Sequence, residues 1–313
     1  MSQAHPSQVG PPQDLDRIVA DACAVAGIPA TLCRPLRHYA NAVYLIEDEP
    51  VVARVAYGPG SMERSTRAVA IAQWLGANGL PVTEPAATGN RRPQPIKVSA
   101  ECEIAVTFWR YYPQPEREPP NDLAVLALMA RALHELSGSP PIPLPTFQPM
   151  RSIADAVETA VPGCGVGEVE IAWLRRRVRT LLAEYHNLEF PLGVGLIHGD
   201  MYAGNLLWVS DSAQVVLGDW DSVCVGPREI DLAPTFASVR FGLQPSSVDR
   251  FILSYGYDLR SWRGYRTLRA IRELSTLTAL MRLAPTKSSA ARELKHRLDT
   301  LTSGDTAAIW NRQ

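Results

Sequence analysis

The strongest constraint on the fold is a change in the spacing of the apolar residues along the chain. In the first third, three short runs rich in β-branched and aromatic residues lie between turns, over 31–37, 42–46 and 51–56. Short apolar runs separated by turns predict an antiparallel meander. Beyond Asn121 the apolar residues recur mainly at helical spacing, which predicts helices. The expected fold class is therefore α+β, with a β-rich part followed by a larger helical part.

A proline-rich segment separates the two parts. Tyr111–Asn121 holds four prolines and few apolar residues, which is typical of a linker. We therefore predict a first domain over 1–110, a hinge over 111–121 and a second domain over 122–313, with a flexible tail at 1–12. Helices are predicted at 14–27, 61–78, 122–136, 169–186, 228–239, 246–256, 262–283 and 288–301, and further strands at 81–84 and 103–109.

The composition excludes several classes of protein. With 313 residues, 46% of them hydrophobic, the chain can bury a substantial core and is neither a small stapled scaffold nor disordered. Its formal net charge of −1 argues against a nucleic-acid binder. Five cysteines without paired spacing suit reduced thiols, and no apolar stretch approaches the roughly 18 residues of a membrane helix. We expect a cytoplasmic protein with no nucleic-acid or membrane partner.

One stretch of the second domain carries most of the chemical information. Two apolar runs, Leu206–Val209 and Gln214–Leu217, flank a polar turn, which predicts a β-hairpin with a four-residue loop. Folding about the centre of that turn places Asn205 opposite Gly218. Asp219 follows by one residue, so the hairpin brings an amide beside a carboxylate.

Asp200 lies five residues before Asn205, on the loop that leads into the hairpin. With Asp219, these side chains offer oxygen ligands, and a hard cation such as Mg²⁺ suits such a set when phosphate oxygens and water complete it. Soft metals are disfavoured because no cysteine or second histidine accompanies the group. The spacing Asp-x4-Asn with a further Asp downstream is also the arrangement that kinases use for phosphoryl transfer.

These motifs resemble those of the aminoglycoside phosphotransferase and choline kinase-like family. The resemblance rests on HGDMYAGN at His198–Asn205, on DWD at Asp219–Asp221 and on Gly226–Ala233. Leu133–Leu136, at the end of a predicted helix, and Phe108–Tyr111, at the hinge, fit the same family. The resemblance implies a protein-kinase-like bilobal fold, in which a small antiparallel-sheet lobe binds nucleotide and a larger, mainly helical lobe carries catalysis and substrate.

The resemblance implies a role for each matching residue. Asp200 would be the catalytic base that orients and deprotonates the acceptor hydroxyl, and His198 would brace the catalytic loop. Asn205 and Asp219 would be the Mg²⁺ ligands. Asp231 would be a structural acid that supports the loop from the following helix. The implied nucleotide is ATP, with GTP left open.

The implied nucleotide site departs from the family pattern. The third strand carries Arg54 where a lysine is usual, and an arginine can neutralise phosphate and bind it with two parallel hydrogen bonds. The loop between the first two strands holds no glycine, so Arg37 and Asn41 are expected to contact the nucleotide instead. Main-chain groups near Trp109 and Tyr111 would take the adenine.

The partner of the strand arginine is a second departure. The helix that would supply a glutamate offers Ala68 near the expected place and Glu63 at its start. Whether Glu63 or any acid pairs with Arg54 is therefore open at this point.

For the acceptor, the candidate contacts are Asp221, Glu229 and Glu273. Asp221 is equally consistent with a second metal or with a solvated position. For Arg272 and Glu273, which lie amid apolar neighbours in a predicted helix, we favour a buried ion pair over a contact with substrate.

The expected function is ATP- and Mg²⁺-dependent transfer of a phosphoryl group to a hydroxyl of an aminoglycoside-like antibiotic, as in antibiotic resistance, or of a related small molecule. The alternative acceptor is a metabolite alcohol such as choline, an amino alcohol or a sugar. A catalytically weak nucleotide-binding pseudokinase is a further alternative, disfavoured because Asp200, Asn205 and Asp219 are all present. A two-metal phosphoesterase is disfavoured because its chemistry needs several histidine ligands.

Overall fold

The computed structural model describes residues 14–30, 32–38, 41–87, 93–99, 103–115, 122–160, 162–163, 166–209 and 214–311, and leaves out the side chains at 37, 38, 98 and 99. The predicted tail at 1–12 and residues 116–121 of the predicted hinge lie outside this part of the chain.

The described residues form two compact units. Unit 1 comprises those within 1–121, 136–144 and 204–223, and unit 2 comprises those within 122–135, 145–203 and 224–313. The domain boundaries expected from the sequence stay a prediction. The boundaries of the two compact units differ from the predicted domain boundaries, because residues 136–144 and 204–223 belong to unit 1.

Unit 1 contains a five-stranded antiparallel sheet. Its strands are β1 (Cys33–His38), β2 (Ala42–Ile46), β3 (Val51–Tyr57), β4 (Ile96–Ser99) and β5 (Ile104–Arg110), in the order β1-β2-β3-β5-β4. The predicted meander and the predicted strand before the hinge are confirmed. The strand predicted at 81–84 is wrong, since Val82 forms only an isolated bridge with Leu217, and β4 was not predicted.

Helix α1 (Leu15–Ala26) covers one face of this sheet. Its buried residues Val19, Ala22, Cys23 and Ala26 fall at helical spacing and join the core formed by the strands. The helix ends at Gly27, whose φ of 68° is the left-handed conformation that glycine adopts at little cost.

Helix α2 (Ser61–Ala77) and a short hairpin complete unit 1. The hairpin pairs β7 (Leu206–Trp208) with β8 (Val215–Leu217), and a 3-10 turn (Trp220–Ser222) follows it. Helix α2 packs against β5 and against this turn. The packing fixes the chain that follows the hairpin against the main body of unit 1.

Unit 2 is mainly helical. Its two strands, β6 (Val194–Ile197) and β9 (Cys224–Pro227), pair antiparallel. Its helices are α3 (Leu123–Glu135), α4 (Arg151–Glu158), α5 (Glu168–His186), α6 (Glu229–Ala237), α7 (Pro245–Tyr255), α8 (Tyr265–Ser275), α9 (Leu277–Leu283) and α10 (Ser288–Ser303). No helix in the described residues combines the length and the hydropathy needed to cross a bilayer.

The single helix predicted at 262–283 is wrong, because the chain forms two helices, α8 and α9. Thr276 lies at the break, and its hydroxyl donates to the carbonyl oxygen of Glu273 at 2.7 Å. Side-chain hydroxyls that bond to nearby backbone compete with the regular helical ladder. Apolar periodicity continues across such a break, so it did not reveal the break.

Candidate active site

The hairpin of unit 1 has the register expected from the sequence. Leu206 pairs with Leu217, and Trp208 pairs with Val215. The Gly218 amide donates to the carbonyl oxygen of Asn205 at 2.9 Å, which confirms that Asn205 faces Gly218. The predicted turn at 210–213 lies outside the described residues.

The backbone at the end of the hairpin is constrained at two successive residues. Asp219 has φ 65° and ψ 55°, a left-handed conformation that aspartate tolerates better than most residues but that still costs free energy. A Cβ at Gly218 would lie 3.0 Å from Cγ2 of Thr83. The buried Trp220 anchors the next turn by donating from its indole nitrogen to Leu217 at 3.1 Å. Together these constraints fix the backbone at Asp219, and with it the direction in which the Asp219 side chain points.

Arg54 holds both carboxylates of the DWD motif. Its Nη2 donates to Oδ1 of Asp219 at 2.6 Å, and its Nη1 donates to Oδ1 of Asp221 at 2.9 Å. Asn41 donates from Nδ2 to the other oxygen of Asp221 at 3.0 Å. The Arg54 side chain is only 12% exposed. Burial alone would lower the pKa of Arg54, but the charges of Asp221 and Asp219 and their hydrogen bonds raise it above its ordinary value.

The acids of this cluster suit a hard cation. Asp219 and Asp221 share one cation, the Arg54 guanidinium, and both offer carboxylate oxygens. Asn205, which is buried, adds an amide oxygen of the kind that Mg²⁺ accepts. Within the described ranges no group of three or more His, Cys, Asp or Glu side chains is arranged to hold a metal. A metal held by one or two carboxylates plus phosphate oxygens fits this donor set, and an all-protein cage does not.

In unit 2, Asp231 organises the loop that carries Asp200. Its fully buried carboxylate accepts from the amides of His198 at 2.7 Å and Gly199 at 2.8 Å. The His134 ring lies 3.1 Å from the same carboxylate through Nε2, and its Nδ1 lies 2.8 Å from the Tyr255 hydroxyl. The loop residues just before Asp200 are therefore held through their backbone by one buried acid.

His198 lies inside the same loop. Its side chain is fully buried, and its Nδ1 accepts from the Asp200 amide at 3.3 Å. This contact is local and joins the histidine to the backbone of Asp200.

Asp200 is paired with a residue that the sequence analysis assigned differently. Nη1 of Arg272 donates to Oδ1 of Asp200 at 2.9 Å. The favoured buried ion pair is right for Glu273, whose partners are Arg240 at 2.9 Å and Arg269 at 2.8 Å, and wrong for Arg272. Consecutive residues of a helix point about 100° apart, so Arg272 and Glu273 point in different directions, and their adjacency in the sequence did not imply a shared environment.

Two of the predicted acidic contacts are buried in unit 2. Glu229 is fully buried, accepts from the Leu192 amide at 2.7 Å through Oε1, and has no hydrogen-bond partner for Oε2 among the described residues. Burial raises the pKa of Glu229, and the hydrogen bond from Leu192 partly opposes that rise. Glu273 is buried as well.

The ion pairs of Arg54 identify its acidic partners. Glu63 is 83% exposed, and its ion pair is with Arg67 at 3.7 Å. The acids on Arg54 are Asp219 and Asp221.

The residues predicted to meet the nucleotide are placed as follows. Trp109 is buried in β5 and donates from its indole nitrogen to the Thr107 hydroxyl at 2.9 Å. The Tyr111 amide donates to the carbonyl oxygen of Pro50 at 2.7 Å. The backbone of Arg37 is part of β1, and its side chain lies outside the described part of the structure.

A family model described as the phosphotransferase enzyme family, APH, matches residues 32–270 of this chain. No curated protein matches the sequence significantly.

Several solved structures have a similar fold. The amicoumacin kinase hAmiN, solved with AMP-PNP, Ca²⁺ and Ami, is 14% identical with a TM-score of 0.70, covering 96% of this chain and 98% of its own. The spectinomycin phosphotransferase APH(9)-Ia, solved with ADP and spectinomycin, is 18% identical with a TM-score of 0.63, covering 93% and 94%. A microcompartment-associated aminopropanol kinase is 20% identical with a TM-score of 0.62, covering 93% and 98%.

Likeness at such low identity shows the fold, which is protein-kinase-like and of the α+β class. The family model covers most of the chain, including the loop of Asp200 and the DWD motif. The chain therefore belongs to the phosphotransferase enzyme family and is an enzyme that transfers a phosphoryl group to an alcohol.

Proposed function

We propose that this enzyme transfers the γ-phosphoryl group of ATP, with Mg²⁺, to a hydroxyl group of a small molecule. The observation that carries the proposal is the binding of one guanidinium, Arg54, by both acids of the DWD motif, at 2.6 and 2.9 Å. Two carboxylates and one guanidinium cation from the neighbouring sheet are groups that suit a metal-bound triphosphate. GTP would meet the same phosphate-binding groups.

The proposed roles follow from the chemistry of each side chain. Asp200 accepts the proton of the acceptor hydroxyl, and the buried Asp231 keeps the loop before it in place through two backbone amides. Asn205 and Asp219 are the residues that would hold Mg²⁺. When bound, Mg²⁺ neutralises negative charge on the phosphate groups. Arg54 binds phosphate oxygens, for which the planar guanidinium is well suited.

The rest of the nucleotide would lie against unit 1. Asn41 already donates to the DWD motif through Asp221, which supports its place near the phosphates. Arg37 lies four residues before Asn41 in the sequence, and we propose that it contacts the nucleotide as well. Main-chain groups around Trp109 and Tyr111 remain the proposed site for the adenine.

Two acceptor classes are consistent with this chemistry. Structures with this fold include kinases of antibiotics, such as amicoumacin and spectinomycin, and an aminopropanol kinase. An antibiotic of the aminoglycoside type carries several ammonium groups and calls for accessible carboxylates. The burial of Glu229 and Glu273 favours the second class, a metabolite alcohol.

The test is release of ADP from ATP and Mg²⁺, measured with spectinomycin, choline, aminopropanol and neutral sugars as acceptors. Asp200→Asn should lower turnover at least about 100-fold while ATP binding persists, because the variant removes the base but no nucleotide contact. The control Asp249→Asn changes an exposed aspartate of unit 2 and should leave turnover unchanged. Equal ADP release by wild type and Asp200→Asn would refute the proposal.

A further inference from the structure

The ion pair between Arg272 and Asp200 places a permanent positive charge beside the proposed catalytic base. The two groups are 2.9 Å apart, and their side chains are 30% and 36% exposed. An arginine stays protonated throughout the physiological pH range. A ligand that approaches Asp200 from solvent therefore meets a cation as well as a carboxylate.

No acid on the same helix neutralises this charge. Helix α8 carries Arg266, Arg269 and Arg272 but only one acid, Glu273. Glu273 is buried and already accepts from Arg240 and Arg269. The solvent-facing charge of this helix is therefore positive.

The guanidinium of Arg272 is also not saturated. Among the described residues its hydrogen-bonded partner is Asp200, reached through Nη1 alone. Its Nε and Nη2 groups keep N–H donors for a ligand. A guanidinium with spare donors in a planar fork matches carboxylate and phosphate oxygens in two parallel hydrogen bonds.

We propose that Arg272 determines the acceptor class by binding a carboxylate or phosphate group of the acceptor, close to the hydroxyl from which Asp200 takes the proton. This inference rests on the proposed function, in which Asp200 is the base. An ammonium group in the same position would be repelled by the guanidinium. The acceptor is thus an anionic alcohol, such as a hydroxy acid or a sugar acid, and not a polyamine sugar.

The experiment compares alcohols that differ only in the charge of one substituent. One set is glucuronate, glucose and 6-amino-6-deoxyglucose, and the other is glycerate, glycerol and 3-amino-1,2-propanediol. For each we would measure kcat/KM from ADP release with ATP and Mg²⁺. The wild-type enzyme should prefer the acid over the amine at least tenfold in the set that it accepts.

Variants separate specificity from a merely structural role. Arg272→Gln should bring acid and amine within about threefold of each other, and Arg272→Glu should reverse the preference. If Arg272 only held Asp200 in place, both variants would lower kcat for all acceptors by the same factor and leave the ratio unchanged. The matched control is Arg266→Gln, an exposed arginine of the same helix, which should keep the wild-type ratio.

The outcomes distinguish this inference from the proposed function. Turnover that depends on Asp200 but is equal or better with the amines would overturn the inference and leave the proposed function standing. An unchanged acid-to-amine ratio in Arg272→Gln would overturn it too. If no alcohol in either set is phosphorylated, and none in the earlier screen, the proposed function fails and the inference with it.

Discussion

Arg54 and Asp219 are joined by a 2.6 Å hydrogen bond although 165 residues separate them in the sequence. The same guanidinium also holds Asp221, at 2.9 Å. In the proposed function Asp219 holds the metal of the nucleotide. The guanidinium and the metal would then compete for the Asp219 carboxylate.

Arg54→Met should make the protein respond more strongly to Mg²⁺. Without the guanidinium, Asp219 and Asp221 lose the cation that they share, which should destabilise the protein by about 1–3 kcal/mol. Mg²⁺ binds the folded state and no longer displaces an arginine, so it should raise Tm more in the variant than in wild type. The measurement is Tm in EDTA and at millimolar Mg²⁺.

The control for this experiment is Arg34→Met. Arg34 is an exposed arginine of the same sheet and pairs with Glu47 at 3.0 Å. Its loss should change stability by less than about 1 kcal/mol and leave the Mg²⁺ response as in wild type. An equal Mg²⁺ response in Arg54→Met and wild type would contradict the competition.

Gly218→Ala should destabilise unit 1 by about 1 kcal/mol, because the added Cβ would lie 3.0 Å from Cγ2 of Thr83. Thr83→Ser removes that methyl group while keeping the hydroxyl. The double variant should therefore recover most of the lost stability, measured as Tm. Additive losses in the double variant would show that the methyl contact is not the cause.

The local structure of the site could be predicted from the sequence. The hairpin register follows from two apolar runs and the turn between them, so the pairing of Asn205 with Gly218 could be predicted from neighbouring residues alone. The same holds for the helix that ends at Gly27 and for the meander, where apolar period and turns coincide.

The ion pairs between residues far apart in the sequence could not be predicted in this way. Arg272 and Asp200 are 72 residues apart, and no local pattern says which face of α8 meets the catalytic loop. The same applies to Arg54, whose acid partner was sought on the next helix and lies instead after the hairpin. Strand β4 was missed because its four residues, IKVS, are too few to show a clear period.

Asp231→Asn should lower both stability and turnover. The carboxylate accepts two backbone N–H groups, from His198 and Gly199, and an amide has only one oxygen with which to replace it. One buried N–H then loses its acceptor, at a cost of about 1–3 kcal/mol. Because Asp200 follows directly, kcat should fall at least tenfold.

Tm and steady-state kinetics measure the two effects of Asp231→Asn. Asp249→Asn is the matched control, since its carboxylate is exposed and its partner is Arg260. Normal kcat in Asp231→Asn would show that the buried acid does not position the base.

Glu229 should make stability fall as the pH rises. Burial raises its pKa above the ordinary value near 4.5, so the folded protein binds this proton more tightly than the unfolded chain does. The stability that this group contributes is present below about pH 4.5 and is lost as the pH rises through the higher pKa of the folded state. Glu229→Gln carries no ionisable group there. The Tm of wild type minus that of the variant should therefore decrease as the pH rises above about 4.5.

The control for Glu229 is Glu135→Gln, an exposed glutamate of the same unit that pairs with Arg131 at 2.8 Å. It accounts for the general effect of removing one negative charge from unit 2. A Tm difference for Glu229→Gln that stays constant across the range, or that follows the control, would mean that the carboxylate is solvated in the folded protein. Since its Oε2 has no hydrogen-bond partner among the described residues, we expect the decrease, because the contact from Leu192 at Oε1 offsets the burial of the charge only in part.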